Sequence, residues 1–432
     1  MEPRASSLVP YGMGLFVLGT GYRSGPLGNE IIVNTLINRL NAYPSVLAAA
    51  DTLKTELESL IKLSVQVQQI PAPTYDEKVR ADWVANYFRD LGIAEVSQDE
   101  VYNVYARIPG KQAGPSLVLS AHTDTVFPAE TDLTVRYAPD EQRVYGPGLV
   151  DNSAGVAALL TLAEKLQGLE APPIDIWLVA NSCEEGLGDL RGMRAAIDHL
   201  ESTLPGGVGA SIVIEGIGIG RIVHRALGSR RFRISVNAPG GHSWSDFGSG
   251  SAIHTLVQLA NDVAQLKPPV DPRTTFNIGG IGGGTSINTI AQQASLELDL
   301  RSESPAALAE IVSQVQAIVS AYQTQHWLDQ GIQVTAEMIG DRPAGEIEKE
   351  HPLVDAAHQA LIASGITHRF ELQISSTDAN IPLSRGIPSV CVGMTDGGDA
   401  HRLTEWLDPT LFPQGVSHLL LLTWWAADWL SE

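Results

Sequence analysis

The stretch SLVLSAHTD, residues 116–124, decides how the chain is read. An uncharged run rich in Leu, Val and Ser ends abruptly in a histidine and an aspartate. Without period-two alternation, such a run suits a strand buried on both faces, as in a parallel sheet covered by helices. Three other runs share the texture: IDIWLVA (174–180), ASIVIEG (210–216) and SVCVGM (389–394). AGVAALLTLAEKLQGL (154–169) supplies a helix between the first two, with apolar residues recurring at three and four. The expectation is an α/β fold, a three-layer α/β/α arrangement around a mostly parallel sheet.

Upstream, residues 45–69 and 77–91 read as amphipathic helices, the second ended by Gly92. Between residues 230 and 340 the texture changes to half-buried strands and two helices in the order β-α-β-β-α-β, a ferredoxin-like unit inserted before the buried pattern resumes at SVCVGM. The expected organisation is an N-terminal extension over residues 1–44, flexible in this reading. A discontinuous catalytic domain over 45–229 and 341–432 follows, with the insert over 230–340 as a separate domain. The apolar segment YGMGLFVLGTG (11–21) is short and broken by glycines, and reads as part of the extension rather than a secretory leader.

The chain has 432 residues, 44% of them hydrophobic, so a packed core is expected and wholesale disorder is excluded. Asp and Glu number 49 against 28 Lys and Arg, a formal charge of −21. That surface repels phosphate backbones and anionic lipid, which disfavours nucleic-acid and membrane partners. Two cysteines, Cys183 and Cys391, are too few for a disulfide framework and fit a reducing, cytoplasmic setting.

Each buried strand runs into acidic or histidine residues at its carboxyl side: His122 and Asp124, Glu184 and Glu185, Glu215, and later His401. Asp151 stands in the glycine-rich turn YGPGLVDNSAG before the helix. In open α/β sheets ligands gather outside the carboxyl ends of the strands. Taken singly, each residue has an ordinary explanation: a strand-end pair, a helix N-cap at Asp151, a solvated acidic pair, a loop histidine. Taken together, so many carboxylates would repel one another without a counter-charge, and imidazole with carboxylate is a zinc-compatible donor set. Asp124, two residues beyond His122, shares its face and is placed to accept the other ring proton. Glu184 and Glu185 point opposite ways on extended backbone, so one can meet metal and the other substrate.

In that order, H-x-D, Asp in a Gly-rich turn, E-E, an acid and a late His, the chain resembles the dinuclear zinc exopeptidases and deacylases. These include peptidase T, glutamate carboxypeptidase, acetylornithine deacetylase and aminoacylase. GLGDLRG after the glutamates and GGHSWSDFG in the insert resemble the peptidase T-like branch. The resemblance implies two Zn²⁺ per chain, with Co²⁺ or Mn²⁺ as substitutes. One zinc would be held by His122 and Glu215, the other by Glu185 and His401, with Asp151 bridging. It makes Glu184 the general base and gives Asp124 a supporting role beside His122. The insert becomes a lid and dimerisation domain whose His242 reaches across a homodimer to the substrate carbonyl. Asn288 and Arg342 resemble the pair that holds the substrate's free carboxylate. Charge counting agrees: Asp151, Glu185, Glu215 and one hydroxide balance two divalent ions. Ala291 stands where the family often has proline, and Asn152 and Ser153 follow the bridging aspartate where many members differ. These departures are expected to bear on the substrate pocket.

The implied activity is hydrolysis of short peptides, of aminopeptidase, dipeptidase or tripeptidase type. The alternatives are an N-acyl-amino-acid deacylase or carboxypeptidase using the same centre, and a non-catalytic metal-binding protein. GIGIG (216–220) is followed by extended chain rather than a helix, GGIGGGTS (279–286) lacks a P-loop ending, and no G-x-S-x-G elbow is present. Cys183 reads as a small buried residue.

Overall fold

Alternate residues of each apolar run feed different cores, which is why the runs carry no polar alternation. The computed structural model of the protein describes residues 36–138 and 142–432. In chain order the main elements are helices α1 (Pro44–Leu53), α2 (Leu57–Gln68) and α3 (Lys78–Asp90), then strands β1 (Val104–Ile108) and β2 (Ser116–His122). Next come α4 (Ala154–Gly168), β3 (Ile176–Asn181), α5 (Arg191–Thr203), β4 (Val208–Ile217) and β5 (Arg221–Ala226). A second group comprises β6 (Gly228–Asn237), α6 (Ala252–Ala264), β7 (Thr274–Gly283), β8 (Gln293–Ser302), α7 (Pro305–Ala321) and β9 (Gln333–Arg342). The chain finishes with α8 (Pro352–Ala363), β10 (Glu371–Ser375), β11 (Ser389–Gly398) and α9 (Phe412–Leu430).

The central sheet runs β1-β3-β2-β4-β11. The pairs β2–β3, β2–β4 and β4–β11 are parallel, and β1 joins β3 antiparallel. Leu117 and Leu119 of β2 enter the larger core with α4 and α9, whereas Val118 enters a second core with Met193 and Ile197 of α5. Ile176 and Leu178 against Trp177 and Val179 repeat the division on β3. Each such side chain contributes about 1.5–3 kcal/mol by leaving water. The parallel register sets His122 beside Asn181 and Glu215 beside Gly393, so the polar strand ends open on one edge.

Residues 228–342 form a four-stranded antiparallel sheet, β7-β8-β6-β9, with α6 and α7 on one face. Phe232, Ile234 and Val236 alternate into this separate core, matching the period-two pattern of the sequence.

Two expectations need correction. The helix expected over residues 45–69 is broken between α1 and α2, because α1 packs on α9 while α2 packs on α4. Of the extension expected over residues 1–44, residues 1–35 lie outside the described residues; Leu36 and Leu40 are fully buried, and Leu36 N–H donates to Gln359 Oε1 at 2.7 Å. Apolar leucines at that spacing pin residues 36–40 to the core. The segment 11–21 lies outside the described residues. No described helix is long and apolar enough to cross a membrane.

Candidate metal centre

The strand ends deliver His122, Glu184, Glu185 and Glu215, and two loops deliver Asp151 and His401. The Asp151 turn is shaped by its own sequence. Gly148 takes φ 67°, in the left-handed region that glycine enters freely. At Gly155 a Cβ would sit 2.0 Å from Asn152 Oδ1, so only glycine lets the turn close on the helix. Cys183 (φ 52°) and His401 (φ 67°) are non-glycine residues in the left-handed region, one just before Glu184 and the other a site residue itself. Strain of that kind costs about 1–3 kcal/mol and persists where surrounding contacts dictate it.

The side chains converge as three overlapping triples. His122, Asp151 and Glu215 form one, Asp151, Glu185 and His401 a second, and His122, Glu184 and Glu185 a third, with ligand atoms in each within 4.8 Å of one another. Asp151 faces both ways: Oδ1 is 3.2 Å from His122 Nε2, and Oδ2 is 3.1 Å from His401 Nε2. His122 Nε2 also lies 3.6 Å from Glu215, and His401 Nε2 lies 2.9 Å from Glu185. The Nδ1 of His122 is 3.2 Å from the Asp124 carbonyl and 3.4 Å from its carboxylate. Donation there leaves the Nε2 lone pair aimed into the cluster, as a metal-binding imidazole requires.

Proton affinities record the crowding. Burial alone disfavours a charged His122, but Glu215, Asp124 and Asp151 hold its pKa well above the ordinary value. Hydrogen bonds to Asp151 and Glu185 raise His401 to about 10. Burial pushes Glu184 and Glu215 up, whereas for Asp151 the two histidines outweigh burial and hold its pKa down. Protons on the histidines thus stand where cations fit. Nitrogen and oxygen donors in these triples, around a carboxylate with two outward oxygens, form a set that could hold divalent metal.

The cavity, about 250 Å³, is lined by His122, Asp151, Glu184, Glu185, Glu215 and His401, with Arg342 and Arg221. Residues 118–424 match the model of peptidase family M20/M25/M40. The chain belongs to this family.

Among its relatives, a protein of Arthroderma benhamiae described as "Probable carboxypeptidase" is 29% identical over 271 residues, 57% of this chain and 55% of that protein. That match therefore spans only about half the relative's length. The succinyl-diaminopimelate desuccinylase of Corynebacterium glutamicum is 25% identical over 356 residues, 80% of this chain and 90% of the relative. The crystal structure of a Staphylococcus aureus tripeptidase shares the fold with a TM-score of 0.70 at 23% identity, covering 86% of this chain and 99% of that one.

Within this M20 peptidase chain, Asp124 is a hub. Its Oδ1 accepts the Glu184 N–H and its Oδ2 the Glu185 N–H, each at 2.9 Å, and Thr74 Oγ1 also donates to it. Arg342 is buried and donates to Glu184 Oε1 at 3.0 Å and to the Glu184 carbonyl at 2.5 Å. The guanidinium expected to meet a substrate carboxylate thus meets a carboxylate of the protein. His242 and Asn288 come together on the insert, where Gly241–His242 pairs with Thr289–Ile290, but neither lines the metal cavity.

Asn152 and Ser153 do not face the pocket either, a correction to the sequence reading. Asn152 donates to Ile214 O at 2.9 Å and accepts the Gly216 N–H at 2.7 Å, tying the Asp151 turn to the strand that carries Glu215. Ser153 Oγ donates to Gly148 O. Glu405 was missed altogether. Fully buried, it accepts the N–H groups of Gly148 (3.1 Å), Val150 (2.8 Å) and Asp151 (3.0 Å). Its signal was an acid four residues beyond His401 in an otherwise mixed loop, which sequence patterning does not single out.

Proposed function

We propose that the chain hydrolyses an amide bond of short peptides as a two-metal exopeptidase of aminopeptidase, dipeptidase or tripeptidase type. The single supporting observation is the pair of ligand triples sharing Asp151, with Glu184 beside them in a further triple with His122 and Glu185 and bonded to Arg342. In this reading His122 and Glu215 would hold one zinc and Glu185 and His401 the other, with Asp151 shared by both sets. Cobalt or manganese suits the same donors. The ions, when bound, supply Lewis acidity and make water more acidic.

Glu184 takes one proton from the attacking water as the remaining oxygen joins the amide carbon. It returns that proton to the nitrogen as the C–N bond breaks. Arg342 holds the Glu184 carboxylate in place by bonding both its side chain and its carbonyl. The insert, residues 230–340, acts as lid and dimerisation domain. Trp244, Phe247 and Ile287, 87%, 91% and 103% exposed near His242 and Asn288, support a second copy as its partner. The Nδ1 of His242 accepts the N–H groups of Trp244 and Ser245, so the neutral ring carries its proton on Nε2. That donor suits stabilising a developing oxyanion in the partner's site, with Asn288 beside it for the substrate. Free thiols at Cys183 and Cys391 support a cytoplasmic setting.

The desuccinylase relative favours a second reading, deacylation of N-acyl amino acids at the same centre. Zinc-loaded protein assayed against dipeptides, tripeptides and N-acyl amino acids separates the two. Glu184→Gln is expected to keep about two zinc ions and to lose on the order of 10²–10⁴ in rate. Undiminished turnover in that variant, or after thorough chelation, removes the reading, and metal-loaded protein without amide turnover leaves a metal-binding function.

A further inference from the structure

A larger groove of about 1540 Å³ adjoins the metal cavity, and the two share Ile217, Gly218 and Arg221. The shared wall carries a guanidinium with no partner. Arg221 opens β5, is exposed, and makes no side-chain hydrogen bond or ion pair among the described residues. Its side chain lies across Gly218: a Cβ there would come 3.1 Å from Arg221 Cδ and 3.6 Å from Nη1. At φ 103°, Gly218 holds a backbone shape that other residues rarely adopt, and its bare surface leaves room for the arginine.

The neighbouring arginines are already paired. Arg342, the other guanidinium on the metal cavity, is bonded to Glu184. In the groove Arg225 pairs with Glu346 at 2.6 Å, and Arg369 pairs with Asp396. Glu371 stands opposite Arg221 on the parallel ladder but makes no ion pair with it. Of the arginines lining the two cavities, Arg221 alone has no carboxylate partner among the described residues.

We propose that Arg221 is an anion subsite that binds a carboxylate on the substrate arm leading from the scissile amide toward the groove. The inference deepens the amide-hydrolase reading and rests on it for the location of the scissile bond. Two sources present this chemistry: the free C-terminal carboxylate of a peptide, and a dicarboxylic acyl group on an amino acid. A planar guanidinium grips either in bidentate fashion.

The test compares matched acid and neutral pairs on zinc-loaded protein: Ala-Ala against its C-terminal methylamide, and N-succinyl-alaninamide against N-butyryl-alaninamide. Wild type is expected to favour the acid by about 10-fold or more in kcat/KM in one pair, the scale of a hydrogen-bonded charge. Arg221→Gln brings that ratio close to one, and Arg221→Lys retains part of it; zinc content and melting temperature report that each variant is folded. The pair that responds identifies the source of the carboxylate. Ratios unchanged by Arg221→Gln in both pairs, or no acid preference in wild type, overturn the subsite. Calorimetric titration of the same compounds into Glu184→Gln, with and without Arg221→Gln, reads the ratio without turnover. An acid preference there that Arg221→Gln removes keeps the subsite even if wild type hydrolyses none of the four, in which case the peptidase reading alone falls. No preference in the titration overturns the subsite.

Discussion

Glu405→Gln isolates the contribution of a residue that touches no metal yet holds the turn bearing Asp151. One carboxylate oxygen accepts Val150 N–H at 2.8 Å and Asp151 N–H at 3.0 Å, and the other accepts Gly148 N–H at 3.1 Å. Glutamine has the same shape but one acceptor. With its oxygen toward the paired N–H groups, its NH₂ confronts the Gly148 N–H, donor against donor, in a site without exposure. A buried N–H left unmade costs about 1–3 kcal/mol. Burial raises the Glu405 carboxyl to about 8, so the comparison is made at about pH 9, where it is ionised; the two retained bonds then change from a charged to a neutral acceptor and weaken by roughly half. The sum is about 2–4 kcal/mol, read as a lower urea midpoint of metal-free protein at that pH. Because Asp151 itself is one of the donors, zinc affinity measured by chelator competition is expected to fall about 10–100-fold. A variant matching wild type in both midpoint and zinc affinity refutes the assignment of Glu405 as the anchor of the turn.

Asp124→Asn removes one of the two oxygens that separately hold Glu184 N–H and Glu185 N–H; zinc affinity by the same competition is expected to drop about 10–100-fold with the fold retained. Burial lowers the fully enclosed His418 to about 4. The unfolded chain, near 6.5, takes up the proton first, so its contribution is intact above about pH 6.5 and is lost as pH falls toward 4. Wild type should lose about 2 kcal/mol more than His418→Gln between about pH 7.5 and pH 5 in urea titrations, and parallel losses contradict this. If His242 serves the partner's site, Glu184→Gln and His242→Ala chains, each inactive alone, should when mixed in equal amounts recover about a quarter of wild-type activity, all of it from the mixed dimers, which have one complete site of two. No recovery, with mixing shown by mass, rules out service across the dimer.

Local pattern carried much of this protein. The unbroken apolar run ending at His122 told of a strand buried on both sides, since alternate residues such as Leu117 and Val118 must each find a core. The alternation of Phe232, Ile234 and Val236 told of a sheet with one wet face. His122, Asp124, Asp151, Glu184, Glu185, Glu215 and His401 stood out because strand ends are where a parallel sheet exposes polar groups.

The period of each element and the identity of the groups at the strand ends are written within a few residues and can be read before the chain is folded. Which polar group meets which is settled by the assembled fold. Arg342 finds Glu184 across 158 positions, Glu405 finds Asp151 across 254, and Asn152 finds Ile214 across 62. A hydrogen bond requires contact within about 3 Å. Between residues so far apart along the chain, that contact is set by the packing of the whole sheet and leaves no trace in local sequence.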